Sequence, residues 1–239
     1  MTSSSYQIIV RSLAQATQYF YIFQKQAAFQ PPVEATNILC SSLGCQNVAN
    51  YENSGAQINF SLDKQIYAGA ISTVEPVPPA QLHTGMSVKL SDAMASSTTA
   101  MRAIALTTET PGSAANHTVL TLNPLALSVP VNQSGIPVGA FAMNVPSYTP
   151  TPLPKLYCGV AALNGDQTMI LSSFIAPTPK MTLSCAPEQT FFVKMGYQAS
   201  GNIIPYDESN SARCDFTTGF TTIIVTYNSN GTFSTKGGS

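Results

Sequence analysis

Charge is scarce in this sequence, and tryptophan is absent. Charged residues make up 9% of the 239 residues, and ten basic side chains stand against eleven acidic ones. Because no basic run occurs, there is no electrostatic footprint for a phosphate backbone, and we expect no nucleic-acid partner. The lack of tryptophan counts modestly against a platform for sugar rings, although tyrosine can substitute. The polarity comes instead from Ser, Thr, Asn and Gln, which suit extended strands with one face in water.

The motifs of the common catalytic chemistries are missing as well. There is no Gly-x-Ser-x-Gly elbow, no phosphate-binding glycine loop and no Cys-x-x-Cys pair, and the histidines are His83 and His117. His117 lies in an Asn-His-Thr acceptor sequence, so we expect it to be exposed. The adjacent Asp207 and Glu208 indicate a solvated turn rather than a glycosidase pair, because neighbours along a strand point to opposite faces. We expect neither a metal nor a cofactor.

No apolar stretch is long enough to cross a bilayer as a helix. The segment from Met1 to Ser5 lacks the basic and apolar regions of a signal peptide, so we expect either a cytosolic protein or one whose leader has been removed. Asn-x-Ser/Thr glycosylation acceptors favour the secretory pathway or the extracellular space. These acceptors are Asn59, Asn116, Asn132 and Asn230. The cytoplasm is the alternative location.

The five cysteines give a second reason to expect secretion. Cys40 and Cys45 bracket a short segment with a glycine, which suits a small disulfide loop, and Cys158 with Cys214 is the candidate second pair. Cys185 is then the unpaired thiol. The alternative is that all five are small, buried hydrophobic side chains.

Strand patterns recur along the chain, whereas helical periodicity is hardly seen. The segments predicted as strands are 5–11, 18–24, 56–63, 86–90, 101–107, 117–122, 155–162, 167–174, 190–197 and 221–227. The proline-rich stretch 124–154 predicts loops and short edge strands, and Asn228 to Gly231 a hairpin turn. The sequence therefore predicts an all-β protein, an antiparallel β-sandwich with Greek-key-like connections. We expect one domain over residues 1–235, with a subdivision near 124–154 left open, and a disordered tail over 236–239.

One short pattern occurs twice. Tyr67-Ala68-Gly69 and Tyr157-Cys158-Gly159 each place a tyrosine two residues before a glycine on the same strand face. A glycine leaves room for a close approach to the strand, but aromatic packing over glycine is the plainer interpretation. Lys155 shares the face of Tyr157, and Lys194 faces away from Tyr197. Each lysine is either a donor at the rim of an apolar cavity or a cation that reaches solvent.

Several segments together resemble a family of fungal β-rich proteins. They are Tyr21 to Gln24, Tyr148 to Gly159, Ser172 to Pro177, Cys214 to Thr222 and Val225 to Asn228. The family includes the intermolecular hetero-Diels–Alderases of tropolonic sesquiterpenoid biosynthesis, and the likeness extends over the whole chain, most weakly over 94–134. The resemblance implies a cofactor-independent pericyclase of fungal secondary metabolism. No residue role is carried over from the family.

The implied chemistry suits this composition. A tropolone quinone methide, formed by loss of water from a hydroxymethyl precursor, adds across an alkene of a humulene-type terpene without a nucleophile or a metal. Holding two partners in register can lower a barrier by about 7–11 kcal/mol. We therefore expect an apolar cavity close to Tyr157 or Tyr67, bordered by donors that stabilise negative charge on the tropolone oxygen.

The candidate residues for this site fall into two groups. The catalytic candidates, as donors or as an aid to dehydration, are Lys155, Tyr157, Tyr67 and His83. The substrate-binding candidates are Tyr19, Tyr21, Phe23, Tyr148, Lys194 and Tyr197. The expected partners are apolar small molecules, and self-association into a homo-oligomer is left open.

Two other classes of protein compete with the pericyclase. The first is a secreted β-sandwich module that binds a carbohydrate or another small ligand without catalysis. The second is a structural or surface protein whose aromatic residues all belong to its core. Product stereochemistry identical to that of the spontaneous reaction would reject the pericyclase, and binding to a glycan array would favour the module.

Overall fold

The computed structural model describes residues 5–73, 97–110, 112–150, 156–163 and 168–238. Within these ranges strands dominate, and a single turn of α-helix, α1, occurs at Tyr51–Ser54. The first strands are β1 (Ser5–Ser12), β2 (Gln18–Gln24), β3 (Ala28–Gln30), β4 (Leu39–Ser41), β5 (Gly44–Val48), β6 (Ile58–Asp63), β7 (Tyr67–Thr73) and β8 (Ser97–Ala103). The others are β9 (His117–Leu122), β10 (Leu125–Leu127), β11 (Phe141–Asn144), β12 (Leu156–Leu163), β13 (Met169–Ile175), β14 (Thr182–Ala186), β15 (Thr190–Met195), β16 (Ile203–Ile204), β17 (Ser211–Asp215), β18 (Thr222–Tyr227) and β19 (Phe233–Gly238). None of the described helical turns is long and apolar enough to cross a membrane.

The predicted all-β sandwich class is confirmed, and the strands assemble into four sheets. Sheet A has the order β19-β18-β1-β6, and sheet B has the order β17-β15-β2-β5. Sheet C has the order β10-β9-β11-β14-β3, and sheet D has the order β16-β4-β13-β12-β7-β8. The strand pairings are antiparallel apart from β1 with β18 and β9 with β11.

Sheets A and B pack face to face around one core. In β1 the side chains of Ile8 and Val10 are fully buried, and in β2 those of Phe20 and Ile22 meet them from the opposite sheet. The period of two along each strand decides which residues face inward. On the outer face of β2, Phe23 is buried, Tyr21 is half-buried and Tyr19 is exposed.

Sheets C and D enclose the second core. Phe141 and Met143 of β11 and Leu183 of β14 face Cys158 and Val160 of β12. β11 lies between β9 and β14, so the prediction of edge strands across 124–154 is wrong for this segment. The reason is that the prolines flank β11 without entering it, and every residue of the strand keeps its backbone donor.

The chain moves repeatedly between the two sheet pairs. Strands β1, β2, β5 and β6 belong to sheets A and B, and so do β15, β17, β18 and β19 near the other end of the chain. Sheets C and D likewise take strands from both sides of residues 124–154. Each sheet pair is thus built from distant parts of the sequence.

The end of the chain differs from its prediction. The hairpin at Asn228–Gly231 is confirmed, since the Asn228 N–H donates to the Thr232 carbonyl at 2.8 Å. The predicted tail is wrong for residues 236–238, which continue β19 beside β18. Gly237 lies against the ring of Phe220, where an added Cβ would come within 2.5 Å. The strand predicted over 86–90 lies outside the described residues.

Candidate functional site

Tyr67 and Tyr157 lie on the same face of sheet D, the face that points away from the core shared with sheet C. β7 and β12 are antiparallel neighbours, in which Tyr157 pairs with Ile71 and Tyr67 pairs with Ala161. Because Tyr157 lies beside Ile71, its offset from Tyr67 along the strand direction equals the distance between positions 67 and 71, about 13 Å of extended strand. The side chains of this face form a cluster of their own. We call it the tyrosine face, and its members are Tyr67, Ile71, Met101, Tyr157, Leu171 and Phe174.

The glycines of the repeated pattern face each other between the tyrosines, because Gly69 pairs with Gly159. A Cβ added at Gly69 would lie 2.6 Å from Cβ of Ala161 and 2.7 Å from Cδ2 of Leu171. A Cβ added at Gly159 would collide with the carbonyl oxygen of Ser173. Residues of β13 therefore pack closely against both glycines. This packing over glycine accounts for the repeated pattern of a tyrosine two residues before a glycine.

The Tyr157 hydroxyl is a hydrogen-bond donor of the tyrosine face that a bound molecule could use. Its half-buried ring stands edge-on to Phe174, with ring centroids 6.0 Å apart. Burial raises the pKa of the Tyr157 phenol, so the neutral, donating form is the one present near neutral pH. The hydroxyl makes no hydrogen bond with any residue in the described part of the chain. Tyr157 can therefore donate to an oxygen of a bound molecule.

The hydroxyl of Tyr67 is already engaged, because it donates to Oδ2 of Asp63 at 2.9 Å. Burial, followed by this hydrogen bond, raises the pKa of Tyr67 to about 12. A cavity of about 30 Å³ lies beside Tyr67, bordered also by Leu62, Val160 and Phe191. That volume holds a water molecule, whereas small-molecule pockets measure about 300–1,000 Å³. The described residues do not form the expected substrate-sized cavity at Tyr67.

The other two catalytic candidates, Lys155 and His83, lie outside the described residues. Lys155 directly precedes Leu156, the first residue of β12. The segment that contains His83 joins the end of β7 at Thr73 to the start of β8 at Ser97, and these two residues pair. The described residues Thr73, Ser97 and Leu156 lie at the end of sheet D where Tyr157 lies.

Substrate-binding candidates from β2 and β15 meet on the outer face of sheet B. Tyr21 pairs with Lys194, and its ring stacks on that of Phe23 with centroids 5.9 Å apart. Tyr197 stands edge-on to Tyr19 at 5.3 Å. The prediction that Lys194 and Tyr197 face opposite sides is wrong. β15 ends one residue after Lys194, and the following glycine has a φ of +135°, which breaks the strand alternation.

Part of this aromatic set is a packed core. Phe23 and Phe192 are 1% and 2% exposed, and Tyr206 stands edge-on to Phe23 at 5.9 Å. Tyr19 and Tyr197 by contrast are 44% and 66% exposed. Tyr19 and Tyr197 are therefore the residues of this aromatic set that can contact a ligand without a rearrangement.

Lys194 is not a free donor. Its Nζ pairs with Oδ2 of Asp207 at 2.5 Å and donates to the Asp207 carbonyl at 3.2 Å. The hydrogen bond from Lys194 holds the pKa of Asp207 well below its usual value. Glu208 accepts from the Tyr206 hydroxyl, and both carboxylates are exposed, as predicted for a solvated turn.

Among the described candidates, Tyr148 lies near Tyr157, whereas the aromatic residues of sheet B are separate from the tyrosine face. The aromatic residues of sheet B contact Cys40 of β4, whereas the tyrosine face contacts Leu39 on the opposite side of the same strand. Tyr148 is separate from both β2 and β15. Its hydroxyl donates to the Pro177 carbonyl, and burial, then the nearby Cys158 and Tyr157, raise its pKa to about 12.

The predicted disulfides are wrong, because all five cysteines are free thiols. Cys158 lies in the core between sheets C and D, whereas Cys214 lies in the core between sheets A and B. Cys185, predicted to be unpaired, is the cysteine that shares a core with Cys158. Burial raises the pKa of Cys40 to about 12, and Cys45 is the one thiol that is not fully buried. Four of the five cysteines therefore fit the alternative prediction, in which they are small, buried hydrophobic side chains.

The predicted glycosylation acceptors differ in exposure. Asn59, Asn132 and Asn230 are exposed. Asn116 is 1% exposed, and its amide donates to Oγ1 of Thr107 at 2.7 Å and to the Gln133 carbonyl at 3.2 Å. The folded chain therefore leaves no access for a glycan at Asn116.

The prediction that His117 is exposed is wrong, because His117 is 5% exposed. Its register partners are Val131, in the segment that follows β10, and Ala142 of β11. Its Nε2 is buried and has no hydrogen-bond partner among the described residues. An unpaired imidazole nitrogen in this position costs free energy unless a water or ligand reaches it.

A cleft of about 390 Å³ lies on the outer face of sheet C, and no sequence pattern pointed to it. We call it the polar cleft, after the uncharged polar side chains of its walls, which are Gln30, Gln133, Ser134, Thr182 and Ser184. Prolines, Gly135, Ile136 and Ala142 complete the lining, and no lining residue is ionisable. Its walls come from three distant segments of the chain, so no local motif could have revealed it.

Comparison with known proteins adds no relative. The chain matches no family model, no curated protein and no solved structure.

Proposed function

We propose that the protein is a cofactor-independent pericyclase. Its reaction is an intermolecular hetero-Diels–Alder cycloaddition between a tropolone quinone methide and an alkene of a humulene-type terpene. The proposal rests on the family resemblance of the sequence and on one observation. The phenol of Tyr157 is half-buried and neutral on an apolar face, and it has no hydrogen-bond partner among the described residues. A cycloaddition of this kind needs confinement and a donor, and Tyr157 would supply the donor.

The apolar part of the face would bind the terpene. Ile71, Leu171 and Phe174 are almost fully buried and hold the face rigid from within. The floor that a terpene can reach is formed by the partly buried Tyr67, Met101 and Tyr157. Methionine adapts its shape to irregular apolar surfaces. Burial of the hydrocarbon against this floor supplies binding free energy in proportion to the apolar area removed from water.

Tyr157 would act on the heterodiene. The quinone methide contributes its exocyclic carbon and its oxygen, which form one C–C and one C–O bond with the two alkene carbons, and no group leaves. A hydrogen bond from the Tyr157 hydroxyl to that oxygen stabilises the negative charge that grows there during bond formation. Because the pKa of Tyr157 is raised, the donor keeps its proton throughout the neutral pH range.

The test compares wild-type protein with Tyr157→Phe in the presence of humulene and a quinone-methide precursor. We expect wild type to accelerate adduct formation with one dominant stereoisomer, and Tyr157→Phe to lose about 10²-fold of that acceleration. Tyr51→Phe is the matched control, because Tyr51 lies in α1 beside Arg11 and not on sheet D, and it should keep the full rate. A wild-type rate and stereochemistry equal to those of the uncatalysed reaction would reject the proposal.

Binding without catalysis is the second candidate function, in the form of a secreted module for a carbohydrate or another small ligand. The polar cleft supports it, since about 390 Å³ lies within the usual size of ligand sites. The cleft lies on the outer side of sheet C, opposite the tyrosine face across the core of that sheet pair. The two functions can therefore be tested independently.

A further inference from the structure

We propose that the polar cleft is a binding site for a neutral, polyhydroxylated ligand of the size of a mono- or disaccharide. The inference specifies the second candidate function, and it holds whether or not the tyrosine face is catalytic. It rests on the lining chemistry of the cleft, on a row of residues across sheet C and on the anchoring of one wall.

The lining favours hydroxyl groups over charged groups. Gln30 and Gln133 carry carboxamides, and Ser134, Thr182 and Ser184 carry hydroxyls. These side chains both donate and accept hydrogen bonds, as the hydroxyls of a sugar also do. An anionic ligand would find no cation among the lining residues, and the prolines with Ile136 offer apolar contacts for C–H groups.

The floor of the cleft belongs to one continuous row across sheet C. Gln30, Ser184 and Ala142 line the cleft, and His117 is the next residue of the row, beneath the lining. Gln30 pairs with Ser184, Ser184 with Ala142, and Ala142 with His117. All four side chains point away from the core, because their strand neighbours, such as Phe29 and Leu183, lie within it. Adjacent strands are about 4.8 Å apart, so this row spaces polar side chains across a length comparable to a sugar ring or two.

His117 lies at the inner end of this row. Its buried Nε2 lacks a partner within the described structure, although buried polar groups are nearly always paired. A ligand hydroxyl, or a water held between the ligand and the imidazole, would satisfy it. Ala142, which separates His117 from Ser184 in the row, has no side chain long enough to block that approach.

The wall opposite Gln30 is held in place by Asn116. The Asn116 side chain donates to the Gln133 carbonyl at 3.2 Å and accepts from the Gln133 N–H at 2.9 Å. Asn132 donates to the Ala114 carbonyl at 2.7 Å. These bonds fix the backbone of the wall while the Gln133 side chain stays exposed, so the cleft is formed before a ligand arrives.

The test titrates wild-type protein with neutral sugars, namely glucose, galactose, mannose, cellobiose and maltose, and follows amide and imidazole signals by NMR. We expect at least one sugar to bind with a Kd of about 1 mM, to shift the signals of Gln30, Ser184 and His117, and to bind more tightly than glucuronate. Gln30→Ala and Ser184→Ala should each weaken that binding about 3- to 10-fold. Gln46→Ala, at an exposed position of β5, is the matched control and should leave the Kd unchanged.

Two results would overturn the inference. One is the absence of binding by every neutral sugar, and the other is binding that Gln30→Ala, Ser184→Ala and Gln133→Ala all leave unchanged. The Tyr157→Phe variant separates this outcome from the proposed cycloaddition, because it should bind the sugar as wild type does even where it has lost the reaction.

Discussion

Gly69 lies directly opposite Gly159 in the pairing of β7 with β12, and β13 occupies the space above both. The obstacles differ, since a Cβ at Gly69 meets Ala161 and the flexible end of Leu171, whereas a Cβ at Gly159 meets backbone. We expect Gly69→Ala to lower the free energy of unfolding by about 1–3 kcal/mol, and Gly159→Ala by more. Urea unfolding gives both values.

A compensating variant checks the physical reason. Gly69→Ala combined with Ala161→Gly removes the 2.6 Å contact between the two Cβ atoms, so it should be more stable than the sum of the single variants. An unfolding midpoint of Gly159→Ala equal to that of wild type would contradict the packing described here.

Most of the correct predictions about the fold came from the alternation of apolar and polar residues with a period of two along the strands. β2 and β9 have the predicted boundaries, and Tyr67 and Tyr157 were assigned to the faces of their glycines by the same rule. β4 and β16 are too short to show any period. The register that sets Gly69 against Gly159 joins segments far apart in sequence, and no local pattern encodes it.

The candidate site was predictable only in part, for the same reason. Cys158 and Cys214 were the candidates for a second disulfide, but the sheet pair to which each strand belongs decides which thiols can meet. Composition supplied the aromatic residues without showing that Phe23 is buried under Tyr206. The polar cleft depends on three segments that converge only in the folded sheet.

The free thiols make a prediction about chemical reactivity. Cys40, Cys158, Cys185 and Cys214 are buried, and Cys45 is partly exposed. We expect a thiol reagent to modify Cys45 alone in the native protein, and all five cysteines after unfolding without reductant, as counted by mass spectrometry. Fewer than five modified cysteines in the unfolded, unreduced protein would demonstrate a disulfide.

The tyrosines predict a loss of stability at alkaline pH. The pKa values of Tyr67 and Tyr148 are about 12, above the ordinary value of 10.0. The folded protein therefore holds these protons more tightly than the unfolded chain does, so the stabilisation is complete below pH 10 and is lost as the pH rises towards 12. Thermal unfolding across this range should show a falling midpoint.

A tyrosine-to-phenylalanine variant serves as the control for the alkaline prediction. Tyr67→Phe removes one titrating group, so the decline in its midpoint above pH 10 should be shallower than in wild type. Equal slopes for the two proteins would show that Tyr67 does not contribute.

The aromatic residues of sheet B should separate into core and surface. Phe23 is 1% exposed and Tyr197 is 66% exposed. Phe23→Ala should therefore lower the free energy of unfolding by about 3–5 kcal/mol, and Tyr197→Ala should change it by less than about 0.5 kcal/mol. Chemical denaturation measures both, and similar costs for the two variants would refute the division.

The last prediction concerns Asn116. Its side chain forms a pair of hydrogen bonds with the backbone carbonyl and N–H of Gln133. Asn116→Ala leaves the buried groups that it served without partners, at about 1–3 kcal/mol for each buried group left unsatisfied. Asn116→Asp keeps the acceptor for the Gln133 N–H, but it loses the donors to Thr107 and to the Gln133 carbonyl and buries a carboxylate. Its stability should therefore be no higher than that of Asn116→Ala. Secretory expression adds an independent check, since glycans should be found at exposed acceptors such as Asn59 and not at Asn116. A glycan on Asn116 in folded protein would show that the loop is not anchored in this way.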